Sequence, residues 1–98
     1  MLDKYRAIWK ALANENRLRI LQSLSEEDST FSNLMYSLRM NPRSLTSHLK
    51  WLRRHGFVSK EEKLYKLTEA GTALYKLEFL NFEKLKEVIP DGNAGSRP

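Results

Sequence analysis

The 98-residue chain contains no cysteine. That absence removes disulfide scaffolds, zinc sites built on thiolates and thiol nucleophiles together, and it is compatible with a reducing cytoplasm. Nor does any apolar run approach the roughly 20 residues needed to span a membrane. The first residues, Met1-Leu2-Asp3-Lys4-Tyr5-Arg6, lack the basic-then-apolar layout of a secretory signal. The expectation is a soluble, cytoplasmic protein with no membrane association. A chain this short suits one compact domain rather than two independent cores. Hydrophobic residues make up 41% of it, enough for a modest core that a second subunit would usefully extend.

The charge is not spread evenly. Of the formal net +5, all of it falls within residues 41–66. That stretch carries Arg43, Lys50, Arg53, Arg54, Lys60, Lys63 and Lys66 against only Glu61 and Glu62, while acids and bases balance elsewhere. A basic segment on an otherwise neutral chain is the footprint of a polyanion-binding surface. Charge alone also fits an ordinary solvated face, so the structure of the segment has to decide between them.

Apolar spacing predicts that structure. Leu2, Tyr5, Ile8, Trp9 and Leu12 recur at helical intervals over 2–12. Asn14 suits the cap of a second helix from Glu15 to about Ser25, with Leu18, Ile20, Leu21 and Leu24 inward and Arg17 and Arg19 solvated. Glu26-Glu27-Asp28-Ser29 is a polar break. Thr30 caps a short third helix carrying Phe31, Leu34, Met35 and Leu38, which Arg39-Met40 closes in a tight turn. Asn41-Pro42 starts a fourth helix to about His55, ended by Gly56. Leu45, Leu49 and Leu52 point inward on it, Trp51 sits at the boundary and His48 lies between the faces. Phe57–Lys60 and Leu64–Leu67 read as two strands joined by Glu61-Glu62-Lys63, a turn without Gly or Asn. Thr68 caps a long last helix to about Ile89, stopped by Pro90. Its wide apolar surface, including Leu74, Tyr75, Leu77, Phe79, Leu80, Phe82 and Leu85, needs a second surface to cover it. Residues 1–90 thus form the single domain, and 91–98 a polar, disordered tail.

The expected fold is mainly α with a small β-hairpin: a winged helix-turn-helix with a long C-terminal dimerisation helix. In that layout the third helix buttresses the fourth, and the major groove of B-DNA admits a helix. Arg43, Ser44, Thr46, Ser47, His48 and Lys50 near the start of the fourth helix face bases and phosphates, with Arg54 further along it. Arg43 can give two donors to guanine, whereas Ser and Thr can donate or accept. Lys60, Lys63 and Lys66 on the hairpin reach the flanking backbone and add affinity more than sequence choice.

With these features in place, the chain resembles the ArsR-like winged-helix transcription regulators. The resemblance rests on Ala11-Leu12-Ala13-Asn14-Glu15-Asn16-Arg17-Leu18-Arg19-Ile20-Leu21 and on Met40–Leu52, including Ser44-Leu45-Thr46-Ser47-His48-Leu49-Lys50-Trp51-Leu52. Leu64–Gly71 is similar to the strand-to-helix exit shared by ArsR-like and MarR-like proteins. About residues 7–71 are covered. The resemblance implies a homodimer built on the first and last helices, a fourth helix that reads DNA, and recognition positions at Arg43, Ser44, Thr46, Ser47 and His48. The dimer seam would take Leu2, Tyr5, Trp9, Leu74, Leu77, Phe79, Phe82 and Leu85. Metal-sensing members carry cysteines in the helix before the recognition helix, where this chain has Leu34-Met35-Tyr36-Ser37, so soft-metal sensing is not expected. Glu61 and Glu62 at the wing tip would repel phosphate and argue against its deep insertion.

Other readings are weaker. Ser44, Ser47 and His48 offer a hydroxyl and a base, but no acid or Gly-rich oxyanion loop accompanies them, so no enzyme activity is expected. His48 divides between a DNA contact and a boundary residue, with a metal ligand far behind. His55 suits a helix C-terminus. Trp9 and Trp51 read as packing residues, and Tyr75, Phe79 and Phe82 as core or seam rather than a ligand pocket. Nothing in the sequence specifies a cofactor or a small-molecule effector. The expected partners are double-stranded DNA and a second copy of the chain. The alternative function is a winged-helix protein-interaction module without specific DNA binding. Single-strand or RNA binding is disfavoured, because aromatic residues are not interleaved with the basic ones.

Overall fold

Polar side chains at four junctions begin four of the five helices among the described residues. The computed structural model describes residues 2–88, so the expected tail lies outside the described residues. The order is α1 (Leu2–Leu12), α2 (Glu15–Glu26), β1 (Ser29–Thr30), α3 (Phe31–Leu38), α4 (Pro42–Arg54), β2 (Val58–Glu61), β3 (Leu64–Leu67) and α5 (Glu69–Val88). Asn14 accepts from the Arg17 amide at 3.1 Å and Thr30 from the Asn33 amide at 3.2 Å. Asn41 accepts from the amides of Arg43 and Ser44 at 2.7 and 3.4 Å. Thr68 Oγ1 accepts from the Gly71 amide at 3.0 Å. Each oxygen satisfies a first-turn N–H that the helix itself leaves unpaired.

Two helix ends are closed by the left-handed residue that follows them. After α4, Gly56 takes φ +82, its amide bonds the Arg53 carbonyl, and the Phe57 amide reaches back to Leu52 at 2.9 Å. This six-to-one closure, with Phe57 buried near Leu52, is what places glycine at the position. After α3 the same role falls to Arg39, at φ 52 and ψ 48, with Met40 bonding back to the Met35 carbonyl at 3.2 Å. A side chain in that conformation costs roughly 1–2 kcal/mol, more than the ~0.5–1 kcal/mol flexibility cost of glycine. Arg39→Gly is therefore expected to stabilise the fold by about 0.5–1 kcal/mol, read as a higher urea midpoint.

The core is made where α2, α3 and α4 meet the sheet. Ile20 and Leu21 from α2, Leu34 from α3, and Leu45 and Leu52 from α4 are fully buried, and Leu49 nearly so. Ala11, Leu24, Met40, Phe57, Val58, Tyr65 and Leu74 complete the cluster. The heptad-like spacing of α4 thus commits one face to the interior and leaves the other to solvent.

Four expectations need correction. The polar break after α2 ends in a strand: Ser29 pairs with Tyr65 and Thr30 with Leu64, giving a three-stranded antiparallel sheet in the order β1-β3-β2. The pairing is set by the free edge of β3, which no periodicity in two residues could reveal. The hairpin is also tighter than expected. Glu61 pairs with Leu64, so only Glu62 and Lys63 lie between the strands, and Glu62 takes φ 57. Arg17 and Arg19 are half-buried rather than solvated. Arg19 donates to Asn16 Oδ1 at 3.3 Å and to the Leu38 carbonyl, tying α2 to the end of α3. Finally, Leu74 is only 4% exposed and belongs to the protomer's own core, so it leaves the expected dimer seam.

Candidate nucleic-acid interface

One face of α4 collects most of the residues expected to meet a polyanion. Asn41 and Pro42 start the helix, and because Leu45, Leu49 and Leu52 must face inward, the intervening positions turn outward. Arg43, Thr46, Ser47, Lys50, Arg53 and Arg54 are exposed, while Ser44 and His48 are half-buried at the edge. The helix contains no acidic residue. Pro42, Arg43, Thr46, Ser47, Lys50, Trp51 and Arg54 line an open groove of about 720 Å³. A second hollow of about 550 Å³ lies between the end of α4 and β2, lined by Lys50, Arg53, Arg54, Val58, Ser59 and Lys60. Lys50 and Arg54 border both, so the two form a continuous basic surface. Arg53, which the sequence reading left out of the binding set, joins it there; its position beside Arg54 was the available signal.

The wing is less uniformly basic than its lysines suggest. Lys66 donates to Glu61 Oε1 at 2.8 Å and approaches Asp28 Oδ2 at 4.0 Å. The hydrogen bond and charge of Lys66 hold the Glu61 carboxyl below its usual range, and Glu61 raises Lys66 in return. Lys66 is thus engaged within the protein, and Glu61 loses much of the repulsion expected of it at the tip. Lys60 Nζ lies 5.2 Å over the Tyr65 ring, and Lys63 is exposed beside Glu62.

His48 faces partly inward. Its Nδ1 is buried without a hydrogen-bond partner among the described residues. Burial, followed by the nearby Arg17 charge, lowers its pKa from the ordinary 6.5. Because the folded state resists protonation, the unfolded chain binds more protons as the pH falls past that value. Stability is therefore held above about pH 6.5 and lost progressively below it. Urea unfolding at pH 7.5 and 5.5 checks this: His48→Gln is expected to flatten the difference, whereas Glu61 titrates only below the ordinary carboxylate value of 4.5. His55 closes α4, its Nδ1 2.9 Å from the Trp51 carbonyl, and its ring stacks on Trp51 with centroids 4.0 Å apart.

Trp9 is 69% exposed on α1 and Leu77 is 45% exposed on α5. The side chains of Leu2, Tyr5, Phe79, Phe82 and Leu85, also expected in the seam, lie outside the described residues. Among the described residues, no group of three or more His, Cys, Asp or Glu is placed to hold a metal. No described helix is long and apolar enough to cross a membrane.

Helix-turn-helix at α3–α4, followed by a β-hairpin wing and a further helix, defines a winged-helix protein with a basic outer face on α4. The model of bacterial regulatory proteins of the arsR family matches residues 14–60, which span α2 through the start of the wing. The transcriptional activator HlyU of Vibrio cholerae is 34% identical over 80 residues, covering 82% of this chain and 68% of that protein. The chain belongs to the arsR family. The solved structure of HlyU from Vibrio cholerae superposes with a TM-score of 0.68 at 32% identity, covering 84% of this chain and 91% of HlyU. The homodimeric winged helix-turn-helix DNA-binding domain of Mb0332 from Mycobacterium bovis superposes at 0.72 with 26% identity, covering 90% of this chain and 83% of that one.

Proposed function

We propose that this protein is a sequence-specific, double-stranded-DNA-binding transcription regulator that acts as a homodimer. The observation that carries the reading is the acid-free outer face of α4, where Arg43, Thr46, Ser47, Lys50 and Arg54 line one groove. Arg43 in the first turn reads a base edge, and Thr46 and Ser47 hold bases or phosphates beside it. Lys50, Arg53, Arg54 and Lys60 bind the flanking phosphates, and β2 contributes more than the wing tip. Exposed Trp9 and Leu77 support a subunit seam on α1 and α5, as does the homodimeric assembly of the Mb0332 domain. The family's members support a regulatory role in transcription.

A dimer with two such helices is expected to select a palindrome from a random duplex pool. Its half-sites should be centred roughly one helical turn apart, about 34–36 Å, or a multiple of that. Retention of no duplex even at low salt would overturn the reading in favour of a protein-interaction module.

A further inference from the structure

Arg17, half-buried on α2, packs against the back of the α4 groove rather than lining it. Its Nη1 donates to the Lys10 carbonyl at 3.1 Å, satisfying one of the last carbonyls of α1. Its guanidinium carbon lies 3.8 Å from the centroid of the Trp51 ring, well within the roughly 6 Å reach of a cation–π contact. Trp51 in turn forms part of the groove wall and stacks on His55 at the end of α4. The Nε is buried without a hydrogen-bond partner, and no carboxylate pairs with this cation among the described residues. A half-buried charge with no counter-ion is therefore held by an aromatic ring and a helix carbonyl.

That arrangement does what the core cannot. Leu45, Leu49 and Leu52 attach α4 to the interior through apolar contacts, which are non-directional and tolerate a small roll of the helix. At a side-chain radius of about 6 Å, a roll of about 20° moves each tip by about 2 Å. Such a shift ruins a two-donor contact to a base. A planar guanidinium stacked on an indole and anchored at its other end resists that roll.

We propose that Arg17 is the positioning residue of the α4 face: clamped between the Lys10 carbonyl and the Trp51 ring, it sets the rotation at which α4 meets DNA. The proposal rests on the reading of α4 as the recognition helix. It concerns no direct contact between Arg17 and DNA.

The test uses the full chain and the duplex selected from the random pool, with affinity measured by fluorescence anisotropy across a salt series. Arg17→Lys keeps the charge but loses the planar stack. It is expected to weaken binding on the order of tenfold with the salt slope unchanged. Trp51→Leu is expected to do the same, and the double variant to lose no more than the worse single one, because both remove one device. Trp51→Phe, with a smaller ring face, serves if Trp51→Leu fails to fold. Unchanged affinity in Arg17→Lys overturns the proposal. So do additive losses, a slope shallower by about 0.9, which marks a phosphate contact instead, or a loss that disappears once the unfolded fraction is accounted for. Arg43→Ala separates the two levels. If it binds as the parent does, the reading of α4 fails; if it weakens binding while Arg17→Lys does not, only the positioning role fails.

Discussion

Gly71→Ala is expected to cost about 3 kcal/mol of stability and to lower the melting temperature on the order of 15 °C. A Cβ at Gly71 would stand 2.0 Å from the Phe57 carbonyl oxygen, 3.0 Å from its carbon and 3.1 Å from Leu67 Cδ2. The first of these is backbone and cannot rotate away. The first turn of α5 would have to lift, and the bonds that hold it would go with it. The Phe57 carbonyl accepts from the Thr68 amide at 3.1 Å, and Thr68 Oγ1 donates to the Gly56 carbonyl at 2.6 Å. Overpacking costs roughly 1–3 kcal/mol and each strained hydrogen bond about 1 kcal/mol more. Gly56 supplies the internal comparison. A Cβ there meets nothing within 4 Å, and only φ +82 opposes it, so Gly56→Ala should cost about 1 kcal/mol. Denaturant unfolding of the two variants decides the matter. If Gly71→Ala is no worse than Gly56→Ala, the close approach of α5 to Phe57 is not what holds this junction.

The second large effect concerns binding. Arg43→Ala combined with Lys50→Ala is expected to weaken duplex affinity about 100-fold while leaving the unfolding midpoint nearly unchanged. Both side chains are exposed, and such positions usually move stability by no more than about 0.5 kcal/mol. The two components separate by their signatures. Arg43→Ala should relax the preference at one base position, for a loss of about 1–3 kcal/mol. Lys50→Ala should weaken all duplexes alike and reduce the salt slope by about 0.9. Lys66→Ala is the contrasting case, since Lys66 is already paired with Glu61 at 2.8 Å and adds little to the basic surface. Equal losses from Lys66→Ala and Lys50→Ala would contradict this division of the wing from α4.

Much of this architecture was legible from residue order. Asn14, Thr30, Asn41 and Thr68 bond amides of the turns they begin, as their positions before apolar repeats imply. Leu45, Leu49 and Leu52 went inside, and the basic residues between them outside, because a helix of 3.6 residues per turn sorts faces by spacing alone. Phe57–Lys60 was read one residue early, since β2 runs Val58–Glu61 and the hairpin turn is set by pairing with Leu64. The resemblance of residues 7–71 to ArsR-like regulators agreed with the family match over 14–60.

Capping, spacing and localised charge act over a few residues, so the amino-acid order was enough for the helices, the core face of α4 and the basic surface opposite it. Folding decided the rest, because it brought together groups far apart in the chain. Ser29 and Thr30 became a strand only when β3 offered an unpaired edge. Lys66 was withdrawn from the basic surface by Glu61 across the hairpin and by Asp28 from the link between α2 and β1. Leu74 entered the core rather than the seam that its spacing had suggested. Arg17, which spacing assigns to solvent, met Trp51 because α2 and α4 cross there, and a contact between two helices leaves no period in either of them.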